Sequence, residues 1–163
     1  AKIIAAREAK QNQDFMIIAR TEALIAEMGV DEALKRAYAY EDAGANAILI
    51  HSKKNNPDEV FEFSDKWDGK VPLIVVPTSY PSVGLDELIE HKIKMVIHAN
   101  QSLRVAYTAM SRVLKEINHV NRLTEVKEEM TSMEKIFHLQ EMYNIKKEEK
   151  DIETELKKLG YLK

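Results

Sequence analysis

Four short aliphatic runs, near positions 15–19, 47–50, 73–77 and 95–98, constrain the fold of this chain more than any other feature. None of them alternates polar with apolar residues, as a strand with one solvated face does. Unbroken runs of Ile, Val and Leu at this length are how strands covered on both faces read. Such strands belong to parallel sheets flanked by helices.

The intervals between the runs carry helical patterns. Asp31 is placed to cap a helix ending near Ala43, with Leu34, Ala37, Tyr38 and Ala39 spaced to face a core and Gly44 as its stop. Asn56-Pro57 opens the next helix, because proline at the first helical position loses only an amide that had no partner. A short helix covers roughly 85–90. Asn100 is placed to cap another over 101–118, whose Leu103, Tyr107, Met110 and Leu114 form a stripe of helical period. Residues 1–11 read as the back half of a helix with no strand before it.

Strand and helix thus alternate four times after an opening helix, which means a parallel sheet with right-handed crossovers. A small doubly wound sheet and half of an eight-stranded barrel both fit that order. The unaccompanied opening helix favours the second. The expected fold is α/β: the C-terminal half of a (β/α)8 TIM-type barrel over 1–122, with four parallel strands, and a helical extension over 123–163. In that extension Thr131 and Glu134 have the spacing of a capping box, and a charged stretch ends at Gly160.

Composition removes several function classes. The chain is 45% hydrophobic and 31% charged with a net charge of −3, an ordinary globular balance without the basic excess that grips nucleic acid. No apolar run approaches the ~20 residues that span a bilayer. Cysteine is absent, so disulfides, thiolate nucleophiles and cysteine-based zinc sites do not arise. A cytoplasmic location is the expectation.

The functional information lies in the polar residues just after each apolar run. The first run ends in Arg20-Thr21-Glu22, the second in His51-Ser52-Lys53, the third in Thr78-Ser79 and the fourth in His98 and Asn100. In α/β folds the C-terminal edge of the strands is where ligands bind. Arginine offers a planar fork of donors matched to phosphate or carboxylate, and histidine adds a donor whose charge is tunable near neutrality. Together they suit an anion. Each residue also has a plainer reading: Arg20 paired with Glu22, His51 bonded to nearby backbone, Thr78 and Ser79 shaping a turn before Tyr80-Pro81, Lys53 and Lys54 in a solvated loop.

Residues Ile17-Ile18-Ala19-Arg20-Thr21-Glu22-Ala23, Asp31–Ala37 and Ala43-Gly44-Ala45-Asn46-Ala47-Ile48-Leu49-Ile50-His51-Ser52-Lys53-Lys54 resemble the isocitrate lyase/phosphoenolpyruvate mutase superfamily. Val75-Val76-Pro77-Thr78, Met95–Asn100 and Glu134–Gln140 resemble its mutase branch in particular. The resemblance covers nearly all of residues 1–142. It implies interconversion of phosphoenolpyruvate and 3-phosphonopyruvate, a phosphorylated three-carbon acid as ligand, and Mg2+ as cofactor. By position it makes Arg20 and His51 the phosphoryl-holding, catalytic pair. The family's acidic metal motif and its gating loop lie upstream of this segment. The Mg2+ ligands are therefore expected outside these residues, with Glu22 at most in the layer behind them, and the 163 residues alone are expected to be inactive. The resemblance further implies a dimer of dimers assembled through the C-terminal helices. Phosphonopyruvate hydrolase and the superfamily's lyases are alternatives, as is a non-catalytic α/β interaction module.

Overall fold

A computed structural model describes residues 1–127 and 129–162, which divide into two compact units, Ala1–Val105 and Ala106–Lys163. The first unit contains α1 (Lys2–Ala9), β1 (Ile18–Thr21), α2 (Val30–Asp42), β2 (Ala47–Ile50), α3 (Asp58–Lys66), β3 (Leu73–Val75), α4 (Leu85–Glu90) and β4 (Ile93–Val96). Helix α5 (Gln101–Ile117) begins in it and continues into the second unit, which holds a 3-10 turn (Leu123–Glu125), α6 (Met133–Leu139) and α7 (Met142–Lys158). Among the described residues no helix is long and apolar enough to cross a membrane.

The four strands are all parallel and lie in the order β1-β2-β3-β4. A doubly wound sheet reverses its strand order at a switch point, so sequential order excludes it and fits an arc of a barrel. Register sorts the side chains by face. Ile18 stands beside Ala47, Arg20 beside Leu49, and Leu49 beside Ile74. Residues in register project to the same side, and successive residues alternate. Ala19, Ile48, Ile50, Leu73 and Val75 therefore share the side on which α2 and α3 supply Ala33, Ala37, Val60 and Phe63 to the main core. Burying the Ile, Leu, Val and Phe side chains of this set stabilises by roughly 1.5–3 kcal/mol each, and each alanine by less. On the opposite face Ala47, Leu49, Ile74 and Val76 form a smaller cluster with Ile97.

Each edge strand exposes an apolar side chain. Ile18 of β1 is 42% exposed and Met95 of β4 is 52% exposed, and neither strand has a second neighbour among the described residues. A self-contained sheet protects its edges with charge, proline or a covering element. Charge is present on both edge strands, in Arg20 of β1 and in the exposed Lys94 of β4.

Helix α2 ends as its glycine predicts. Gly44 has φ +100°, its N–H donates to the Glu41 carbonyl, and Ala45 N–H donates to the Tyr40 carbonyl, which closes the last turn. Several local expectations shift. Strand β1 begins three residues later than predicted, because Phe15 N–H turns back to the Asn12 carbonyl and Asn46 engages both backbone groups of Ile17. The shift places Arg20 inside the strand instead of after it. Strand β3 stops at Val75, since Thr78 N–H bonds back to the Val76 carbonyl around Pro77. Strand β4 starts two residues early, at Ile93. Gly29, with φ +84°, occupies the N-cap of α2, so Asp31 lies within the first turn and favours the helix dipole with Glu32 instead of capping. In α6 the cap is Ser132, whose Oγ accepts from Lys135 N–H, and not Thr131.

Candidate active site

The polar strand ends meet at one edge of the sheet, and alternation decides which way each points. Arg20 lies in register with Leu49, on the face opposite the main core, and continuing the alternation one residue past the end of β2 assigns His51 to the same face. Ser52, the next residue in the alternation, falls on the helix side. Its hydroxyl donates to a Glu59 carboxylate oxygen at the start of α3. The two neighbours thus divide the labour: Ser52 is fixed to the helix layer, and His51 faces the other way.

Arg20 is half exposed and gives its Nε–H to Glu22. The structural pairing that the sequence offered as a plainer reading is therefore present, and it uses one side of the guanidinium. Among the described residues the two terminal amino groups carry no hydrogen bond. They remain as a fork of donors.

His51 is partly buried, and its Nδ1 is enclosed with no hydrogen-bond partner. Burial holds its pKa below the ordinary histidine value, and the Arg20 guanidinium depresses it further, while Glu22 and the Val76 backbone oppose these effects. That Arg20 and Glu22 both act on His51 shows the three groups to be electrostatic neighbours. A depressed pKa makes the neutral imidazole the form present near neutrality, with one N–H to donate.

Three further atoms share the condition of His51 Nδ1: Thr78 Oγ1, Tyr80 Oη and Asn100 Oδ1 are buried without a hydrogen-bond partner. All three residues come after the C-terminal ends of strands. Leaving a buried polar atom unsatisfied costs on the order of 1–3 kcal/mol, so Thr78 and Asn100 beside the strand ends suit a polar ligand, whereas Tyr80 belongs to the main core. Asn100 does not cap α5 with its side chain, as its position in the sequence predicts. Its backbone carbonyl accepts from Arg104 N–H, but the amide oxygen has no such role. Tyr80 is fully buried, and burial pushes its phenol up to about 12.

Ser79 is half-buried in the turn after β3, and His98 is exposed. Lys53 and Lys54 are engaged, at 3.0 Å from Glu27 and 2.7 Å from Glu59 respectively. An open recess of about 580 Å³ runs along the free edge of β1, lined by Ile3, Ile18, Arg20 and Tyr40 among others. His51 does not line it, so it is not where the pair meets. Sequence alone does not single out Glu59, whose only signal is an acidic residue in the first turn of the helix after the histidine loop.

A magnesium ion would need oxygen ligands, usually including one or two free carboxylates. Here the sole acid beside the pair is Glu22, which is already bonded to Arg20, and among the described residues no group of three or more His, Asp or Glu is gathered to hold a metal.

Known proteins resemble this chain in sequence and in fold. The family profile described as phosphoenolpyruvate phosphomutase matches residues 1–118. Phosphonopyruvate hydrolase of Variovorax sp. (strain Pal2) is 44% identical over 140 residues, which is 85% of this chain and 48% of that protein. The crystal structure of phosphoenolpyruvate phosphomutase from Streptomyces platensis subsp. rosaceus superposes with a TM-score of 0.85 at 40% identity, covering 92% of this chain and 52% of that one. Phosphonopyruvate hydrolase in complex with oxalate and Mg++ does so with a TM-score of 0.83 at 42% identity, over 89% of this chain and 52% of that one. The chain thus spans about half the length of the relatives it matches. Profile, identity and superposition agree, and the chain belongs to the phosphoenolpyruvate phosphomutase family.

Proposed function

We propose that this chain supplies the phosphoryl-holding part of an active site that interconverts phosphoenolpyruvate and 3-phosphonopyruvate. In the direction of phosphonate breakdown the P–C bond of phosphonopyruvate breaks and a P–O bond forms to the enol oxygen, so no atom is gained or lost. The observation that carries this reading is the shared face of Arg20 and His51 at the C-terminal edge of the sheet. A phosphoryl group in transit asks for positioning and charge stabilisation more than for covalent help. The terminal amino groups of Arg20 offer two parallel donors to its oxygens, and the imidazole of His51, just past the end of β2, offers a third. Mg2+ belongs to this proposal as a cofactor held by ligands outside these residues. Because the chain's own acids do not provide that site, turnover by the 163 residues alone is not expected. Assembly as a dimer of dimers through the helices after residue 122 is likewise proposed.

Hydrolysis of phosphonopyruvate is the second reading, favoured by the 44% identity to a hydrolase. There water takes the phosphoryl group and pyruvate leaves. Supplying the full natural protein with phosphonopyruvate and Mg2+ separates the two. Phosphoenolpyruvate as product supports the mutase, phosphate with pyruvate supports the hydrolase, and no consumption of phosphonopyruvate removes both.

A further inference from the structure

His51 Nδ1 has no hydrogen-bond partner among the described residues, so apart from the Val76 backbone beside the ring its aim depends on the chain that carries it. That chain is held immediately downstream. Ser52 is fully buried, donates its hydroxyl to Glu59 Oε1 and accepts from Lys54 N–H at 3.0 Å. The other oxygen of Glu59 lies 2.7 Å from Lys54 Nζ, and the Glu59 side chain is only 12% exposed. One carboxylate therefore ties down two residues of the loop after β2, from the helix side, one and three positions beyond His51. A charge-assisted bond from a buried hydroxyl is among the stronger side-chain ties available to a protein. A one-residue slip at Ser52 would exchange the two faces and turn His51 into the core.

We propose that Glu59 is a positioning residue for His51, acting through Ser52 and Lys54 to hold the imidazole on the ligand face of the sheet. This role rests on the proposed contact between His51 and the phosphoryl group, and it makes that contact depend on a carboxylate of α3 that touches no substrate. Placing a catalytic group about 1 Å out of line can cost on the order of a hundredfold in rate. Loosening one tie is expected to cost less.

The test uses the full natural protein with phosphonopyruvate as substrate, and its reference is His51→Ala. Glu59→Ala should lower kcat about tenfold or more with KM changed less than about twofold. Glu59→Gln keeps an acceptor for Ser52 and loses the charge facing Lys54. It should recover most of the loss. A role confined to stability would lower the folded fraction and the melting temperature without changing kcat per folded molecule. Lys54→Met, at a half-exposed position, cuts one tie without threatening the fold and should lower kcat about threefold. It decides the matter if Glu59→Ala does not fold. Unchanged kcat in the folded Glu59 and Lys54 variants, alongside a large loss in His51→Ala, overturns the positioning role and leaves the functional reading intact. Unchanged kcat in His51→Ala overturns the functional reading itself.

Discussion

Replacing Arg20 by lysine keeps the charge and removes the fork. In the structure Nε is committed to Glu22, and among the described residues both terminal amino groups lack a partner. A lysine has one ammonium group for two tasks. It must neutralise Glu22 or reach the phosphoryl oxygens, and it cannot present two parallel donors. The loss is therefore about one charge-assisted hydrogen bond, worth roughly 1.5–3 kcal/mol. Arg20 is 48% exposed, so solvent screening favours the lower part of that range. About 1.5–2 kcal/mol converts to a 10- to 30-fold fall in kcat/KM. Global stability should change by less than about 1 kcal/mol, because a half-exposed ion pair contributes little to folding. The assay is steady-state turnover of phosphonopyruvate by the full natural protein, with folding checked by chemical denaturation. A folded Arg20→Lys protein within about twofold of the native kcat/KM would refute the reasoning and leave Arg20 as a partner of Glu22 alone.

The same geometry has other consequences. Gly44→Ala should destabilise by about 1–2 kcal/mol in urea unfolding, because φ is +100° there and an added Cβ would lie 2.5 Å from Arg7 Cδ; unchanged stability would contradict this. Tyr80→Phe removes a buried hydroxyl that lacks a partner and should raise stability by about 1 kcal/mol, whereas a comparable loss would reveal a bond the phenol makes. His51 has a folded pKa below its unfolded value of about 6.5, so its contribution to stability is fully present above that pH and declines as pH falls through the lowered folded value. Between about pH 7.5 and 5 the native protein should lose more unfolding free energy than His51→Gln, and parallel curves would count against a depressed pKa.

The fold was largely legible because period is a property of sequence. Continuous Ile-Val-Leu runs marked the strands of a two-sided sheet, and helical stripes between them required crossovers. The edges were less legible because they are decided by bonds between distant residues. Asn46 reaches back across the sheet to Ile17, and this sets where β1 begins; nothing local to residues 15–19 announces it. Gly29 took the cap that Asp31 was suited to fill, because its positive φ brings the chain into the helix at an angle no side chain need support. The candidates Arg20 and His51 were named from residue type and strand position. Whether they share a face depended on register, and register cannot be read without knowing where β1 starts. The Ser52–Glu59–Lys54 tie lay beyond the sequence for the same reason. Ser52 and Glu59 are seven positions apart, and only the turn between β2 and α3 brings them together.

A double-mutant cycle on kcat/KM for phosphonopyruvate, built from Arg20→Ala, His51→Ala and the pair in the full natural protein, tests most directly whether the two groups grip one phosphoryl group. Groups acting on the same oxygens are expected to couple by at least about 1 kcal/mol, so that the double variant is less impaired than the sum of the singles. Strict additivity, with both single variants folded, would mean that guanidinium and imidazole serve separate ends.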